Sequence, residues 1–146
     1  MKLVVDTNIL FSFFRENIVR ELIVGSPHNG LELLTHPLAF SELGKNKKRL
    51  MKYAGIKTEE DLDYVLTVLE FFVKVANRDP TPGEITNSLK VCPHSKDAPF
   101  FEIAIALSAD IWSKEPRLKK QSVVKVLTTK EVMNWIGSSE TDKGPA

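Results

Sequence analysis

Two rhythms of apolar residues alternate along this chain: short continuous runs, and positions spaced three or four apart. Lys2 to Val5 is brief, β-branched and continuous in its apolar character, which predicts a strand buried on both faces of a parallel sheet. Ile9, Leu10, Phe13 and Phe14 then fall at helical spacing, with Thr7 or Asn8 available as a cap. A second amphipathic stretch, Ile18 to Val24, sets Val19, Leu22 and Ile23 on one face, and Gly25-Ser26-Pro27-His28-Asn29-Gly30 breaks it. Leu31 to Thr35 predicts another strand. Pro37 is placed to open a helix that carries Leu38, Phe40, Ser41, Glu42 and Leu43, with Lys45, Lys47, Lys48, Arg49 and Lys52 along its later turns. Thr58 with Asp61 looks like a variant capping box ahead of the most regular run, Leu62, Val65, Leu66, Leu69, Phe72 and Val73.

Val73 to Ala76 predicts a short third strand, followed by a loop at Asp79-Pro80-Thr81-Pro82-Gly83 and a short helix over Glu84 to Lys90. Asp97-Ala98-Pro99 begins a helix, Phe100 to Ser108, that is apolar nearly all round, as helices buried between layers are. Asp110 to Ser113 and Val123 to Leu127 predict two more strands. A last helix starts at Thr128-Thr129-Lys130-Glu131, turns Val132, Met133, Trp135 and Ile136 inward, and ends at Gly137. Strands alternating with helices predict an α/β fold with a parallel sheet covered on both faces. Residues 1–137 read as one domain, and residues 138–146, polar with Gly, Pro and charges, as a disordered tail.

Composition narrows this picture only at a few points. A chain of 146 residues suits one domain with a substantial core. A net charge of +1 carries no global bias toward a polyanion, so any affinity for nucleic acid must come from local clusters. The single cysteine, Cys92, excludes an intrachain disulfide framework and fits a reducing compartment. No apolar run approaches the roughly 20 residues of a membrane span, and the apolar start, broken by Asp6 and Asn8, does not read as a signal peptide. The expected location is cytoplasmic. Cys92-Pro93-His94, with His28 and His36, lacks a second paired motif at zinc spacing.

The candidate chemistry lies in four acids at element boundaries. Asp6 follows the first strand, Glu42 sits early in a helix, Asp97 stands at a helix start, and Glu115 lies just beyond Ile111-Trp112. In an open α/β sheet the ligand crevice lies beyond the carboxyl ends of the strands, where all four can converge. Carboxylates sharing a site repel one another unless a cation neutralises them, and Mg²⁺ takes carboxylate oxygens and water readily. The chemistry this implies is metal-dependent phosphodiester hydrolysis by one ion or two. Taken singly, each acid is equally an ordinary turn, cap or surface residue. A phosphoryl-transfer site built on Asp6 would call for a second acid where Asn8 stands.

Val4-Val5-Asp6-Thr7-Asn8-Ile9-Leu10, Ser41-Glu42-Leu43, Lys96-Asp97-Ala98-Pro99 leading into Ala104-Ile105-Ala106-Leu107, and Ile111-Trp112-Ser113-Lys114-Glu115 together resemble a PIN domain. The resemblance spans nearly the whole chain up to the last helix. It implies a three-layer α/β/α fold with a central, mostly parallel sheet, and Mg²⁺- or Mn²⁺-dependent endoribonuclease activity. Many small single-domain members are toxins of the VapC type, which form homodimers and are silenced by an antitoxin protein. The resemblance carries the metal ligands to Asp6, Glu42, Asp97 and Glu115, and supporting polar roles to Asn8 and Ser113. The fourth acid departs from the family's usual Thr-x-Asp setting. Asp110 competes for that role, but it precedes Ile111-Trp112 and would sit at the wrong end of the strand, so Glu115 is favoured.

Basic residues complete the sequence argument. Lys45, Lys48 and Arg49 follow Glu42, and Lys114 and Arg117 surround Glu115; a positive rim beside an acidic metal site would hold an RNA backbone with salt-sensitive affinity. The reading from a different class is a PIN-like module without catalysis that binds RNA or protein, its acids serving as caps and surface charge. The longer arm of Glu115 keeps that alternative open.

Overall fold

Each strand here is short, and β1, β2, β4 and β5 are each followed within a few residues by a helix or turn, so the carboxyl ends of these strands and the helix starts share one rim. The computed structural model describes residues 1–76, 81–93 and 95–142. Its strands are β1 (Lys2–Val5), β2 (Glu32–Thr35), β3 (Val73–Val75), β4 (Asp110–Trp112) and β5 (Val126–Leu127). They form one sheet in the order β3-β2-β1-β4-β5, and every pairing is parallel. Helices α1 (Thr7–Ser12), α2 (Ile18–Val24), α3 (Pro37–Lys45), α4 (Lys47–Ala54), α5 (Glu59–Phe72), α6 (Pro82–Val91), α7 (Ala98–Leu107) and α8 (Thr129–Asp142) surround it. The arrangement is the three-layer α/β/α fold that the alternating pattern implies.

The chain lays β1, β2 and β3 outward in one direction and then returns to place β4 and β5 on the other side of β1. The order therefore reverses between β1 and β4, the kind of switch point at which open parallel sheets bind their ligands. Leu3, Val4 and Val5 are fully buried, as a central strand covered on both faces requires. Trp112 and Phe101 fill the layer beside them, and the Trp112 indole Nε1–H donates to Thr129 Oγ1 at 3.1 Å, which ties β4 to α8. Thr35 Oγ1, also fully buried, donates to the Val5 carbonyl at 2.8 Å and locks the ends of β1 and β2 together.

Several sequence expectations shift. The cap of α1 is Asp6, whose Oδ1 accepts from the Ile9 amide at 3.0 Å; the strand turns into the helix with no loop between, so the residue one place earlier than Thr7 reaches the free amides. The expected single helix after Pro37 is two. Asn46 leaves helical geometry at φ −113° and ψ 28°, and its side-chain amide donates to the Glu42 carbonyl at 2.7 Å, closing α3 before the lysine-rich turns begin again as α4. The final strand is trimmed to Val126–Leu127, because Gln121 collects the backbone ahead of it, accepting from the Val123 and Val124 amides at 2.9 Å each. Nor does α8 stop at Gly137. It runs to Asp142, since a lone glycine costs a helix only about 1 kcal/mol and no proline follows until residue 145. The helical part of the presumed tail thus begins at residue 138, and residues 143–146 lie outside the described residues, as do residues 79 and 80 of the expected loop.

Candidate active site

At the switch point, Asp6 leaves β1 and Ser113 leaves β4 side by side, because Val5 pairs with Trp112 in the sheet register. The Asp6 carboxylate is 4% exposed and fixed at both oxygens: Oδ1 takes the Ile9 amide, and Oδ2 takes the Ser113 hydroxyl at 2.5 Å. The same Ser113 Oγ accepts from the Glu115 amide at 3.0 Å, which turns the chain after β4 back toward the site. Burial pushes the Asp6 carboxyl above its usual range, and the nearby negative charge of Asp97 adds to that. The Ser113 and Ile9 hydrogen bonds and the positive charge of Lys114 pull it partly back. Lys114 itself donates to Ser12 Oγ at 2.6 Å.

A cavity of about 400 Å³ opens in front of Asp6. Asp6, Glu42, Asp97 and Glu115 all line it, together with Thr7, Asn8, Phe11, Asn46, Arg49, Lys96, Phe100 and Arg117 among others. The elements explain the convergence. Asp6 ends β1, Glu42 comes from the second turn of the helix after β2, Asp97 stands at the start of α7, and Glu115 opens the 3-10 turn Pro116–Lys119 after β4. Asp110 begins β4 opposite Leu3, at the other end of the strand, and does not line the cavity.

The four acids differ in what they already hold. Glu115 accepts the Arg117 amide at 3.1 Å and the Arg117 side chain at both oxygens, Nε to Oε1 at 2.9 Å and Nη2 to Oε2 at 3.4 Å. That pairing, with Asp97 nearby, holds the Arg117 guanidinium even more firmly protonated than usual. Asp97 occupies the cap position of α7, yet its side chain makes no capping hydrogen bond there. Among the described residues no three His, Cys, Asp or Glu side chains are gathered closely enough to grip a metal ion. The donor set nevertheless fits a hard divalent cation in type and charge: carboxylate oxygens dominate it. Thr7 Oγ1, on the cavity wall, is a buried polar atom with no hydrogen-bond partner among the described residues.

Of the five basic residues singled out from the sequence, Arg49 and Arg117 line the cavity. Lys45 and Lys48 are exposed outside it, Lys45 at the end of α3 with Glu42 and Lys48 past the break at Asn46 on α4. Lys114 reaches Ser12 instead. Lys96, Asn46 and Phe11 line the cavity without having been anticipated. Asn46 stands four residues after Glu42 and Phe11 four after Thr7, spacings that put each pair on one helical face and were legible in principle. The zinc alternative gains nothing: His36 Nδ1 accepts the Leu38 amide at 3.0 Å as the cap of α3, Cys92 is buried, and His94 lies outside the described residues.

No curated protein sequence matches the chain. A family model described as a PIN domain matches residues 4–135, from the middle of β1 to well inside α8. The chain belongs to the PIN domain family.

Proposed function

We propose that this chain is a metal-dependent endoribonuclease, with Asp6, Glu42, Asp97 and Glu115 as the carboxylates that hold Mg²⁺ or Mn²⁺. PIN domains are in general nucleases that act on RNA and use divalent metals, which is the coarser ground for the reading. The observation that carries the finer one is that four carboxylates from four separate segments line one cavity at the sheet's switch point. Structural stability alone gives no reason to set the buried Asp6 within range of Asp97, where each ionised carboxyl disfavours the other. A divalent ion bound there supplies an activated water and neutralises the charge that develops on a phosphodiester in an in-line displacement.

The chain's own residues do the rest. The Ser113 hydroxyl and the Ile9 amide aim the Asp6 carboxylate and favour its ionised form. Arg49, Arg117 and Lys96 give the cavity wall the positive charge that receives a phosphate backbone. Asn8 supplies a neutral hydrogen-bonding group on the same wall. The reading includes, by family likeness, a homodimer and an antitoxin partner; sedimentation of the purified chain and co-purification with a neighbouring gene's product test those two. Among the described residues no helix is long and apolar enough to cross a membrane.

The alternative, a binding module without catalysis, draws support from one feature: both Glu115 oxygens are occupied by Arg117. Cleavage of end-labelled RNA separates the two readings. Wild-type protein with Mg²⁺ or Mn²⁺ cuts the RNA, while Asp6→Asn, or wild type with chelator, does not. Activity that survives both treatments refutes the metal mechanism, and RNA binding without cleavage by the wild type favours the binding module.

A further inference from the structure

Beside the cavity, α1, the bend that follows it and α4 set aromatic rings and guanidinium groups in a row. Phe11 and Arg49 both line the cavity, with the Arg49 guanidinium 5.2 Å from the Phe11 ring centroid. The Phe11 ring meets that of Tyr53 at 4.8 Å between centroids, tilted by 45°. The Arg15 guanidinium in turn lies 5.0 Å from the Tyr53 centroid. The order Arg49, Phe11, Tyr53, Arg15 thus leads away from the cavity wall. Both arginines are exposed, both rings are half-buried, and among the described residues neither arginine is held in an ion pair.

A contrast within the same molecule shows what a purely structural stack looks like. Arg20 lies 5.8 Å from the centroid of Phe13, a ring that is 3% exposed, and spends its Nε–H on the Phe13 carbonyl at 2.8 Å. No such backbone anchor is present for Arg15 or Arg49 among the described residues. Rings offer a face to any base, guanidinium planes stack on bases and also bind phosphates, and a groove that alternates the two tracks an unpaired strand. A base inside a duplex has both faces covered by its neighbours and cannot use such a row.

We infer that Arg49, Phe11, Tyr53 and Arg15 form a subsite for a single-stranded RNA segment adjoining the phosphodiester held in the cavity. This rests on the proposed nuclease reading and adds to it the residues that hold the strand beside the cavity, which grip its bases without regard to their identity. One or two bases stack along the row, while Arg15 and Arg49 take the phosphates on either side.

Equilibrium binding tests it without catalysis. A labelled short oligouridylate, an oligoadenylate and an RNA duplex of the same length are titrated by fluorescence anisotropy with the full chain in chelator, so that no strand is cut. Tyr53→Leu is expected to weaken both single strands about tenfold and to leave the duplex unchanged. Arg15→Ala, at an exposed position, weakens the single strands and lowers the slope of log affinity against log salt by about 0.7. Thermal unfolding checks that each variant is folded; should Tyr53→Leu not fold, Arg15→Ala decides. Wild-type binding that these substitutions leave unchanged, or that falls equally for duplex and single strand, overturns the subsite while the nuclease reading stands. A wild type that neither binds nor cuts RNA removes both.

Discussion

Replacing Ser113 by Ala deletes one of the two groups that hold the Asp6 carboxylate. Ser113 is 2% exposed and Asp6 4%, so water does not simply replace the lost donor. A hydrogen bond to a buried ionised group is worth about 1.5–3 kcal/mol, against about 1 kcal/mol for a neutral pair. Over 146 residues that loss lowers the Tm by roughly 5–10 °C. The pH dependence has a definite sign. Burial already raises the Asp6 carboxyl above 3.8, so its ionisation opposes folding; that cost is fully present above the folded-state value and disappears below the unfolded one. Removing Ser113 raises the carboxyl further, so the penalty is full at pH 8 and shrinks in acid as Asp6 takes up its proton. Urea unfolding followed by circular dichroism, in chelator, measures it. In an Asp6→Asn background the same substitution should cost only about 1 kcal/mol, since a neutral amide replaces the charge. A loss below about 0.5 kcal/mol at pH 8, or one that does not shrink between pH 8 and pH 3.8, would refute the reasoning.

Three further outcomes follow from other contacts. In the folded protein His36 holds its charge less readily than usual because it is partly buried, and its neutral Nδ1 caps α3; stability is therefore retained above pH 6.5 and lost as pH falls below it, and His36→Asn, which caps without titrating, should flatten that limb in pH-dependent thermal melts. Mg²⁺ or Mn²⁺ at about a hundred times its dissociation constant should raise wild-type stability by about 2.7 kcal/mol, and Asp6→Asn should abolish the increment; an equal rise in both, read by differential scanning calorimetry, would place the ion elsewhere. Thr35→Val keeps the shape of a fully buried side chain but removes the donor to the Val5 carbonyl, so denaturant unfolding should report a loss of about 1–3 kcal/mol, and an unchanged midpoint would show that the β1–β2 tie contributes nothing.

Much of the site could be read from local pattern because its residues sit where elements change. Asp6 is found from the run Leu3 to Val5 stopping at an acid, and Asp97 from the proline that starts the buried α7. What escaped the sequence was set by single side chains acting on backbone. Asn46 bonds back to the Glu42 carbonyl and splits one expected helix, so Lys48 and Arg49 belong to a separate helix, α4, of which Arg49 lines the cavity and Lys48 does not; the periodicity of the lysine run is the same either way. Asp6 serves as strand end, helix cap and cavity wall at once, and nothing in its neighbours' spacing distinguishes that from a cap at Thr7. The Glu115 pairing depends on the 3-10 turn that folds Arg117 back over it, and a four-residue turn has too few positions to show a period.

The contact between Ser113 and Asp6 also joins residues 107 positions apart. Joining β1 to β2 spans only about a quarter of that separation, so the first half of the sheet can assemble from nearby chain while the half that carries Ser113 and Glu115 must wait for a long closure. During synthesis the amino-terminal strands emerge with Asp6 at the end of β1 but without Ser113 to hold its second oxygen, and with the opposite wall of the cavity still unmade. A chain interrupted anywhere before β4 therefore lacks the wall that carries Ser113 and Glu115, and the cavity closes last, as a property of the finished molecule.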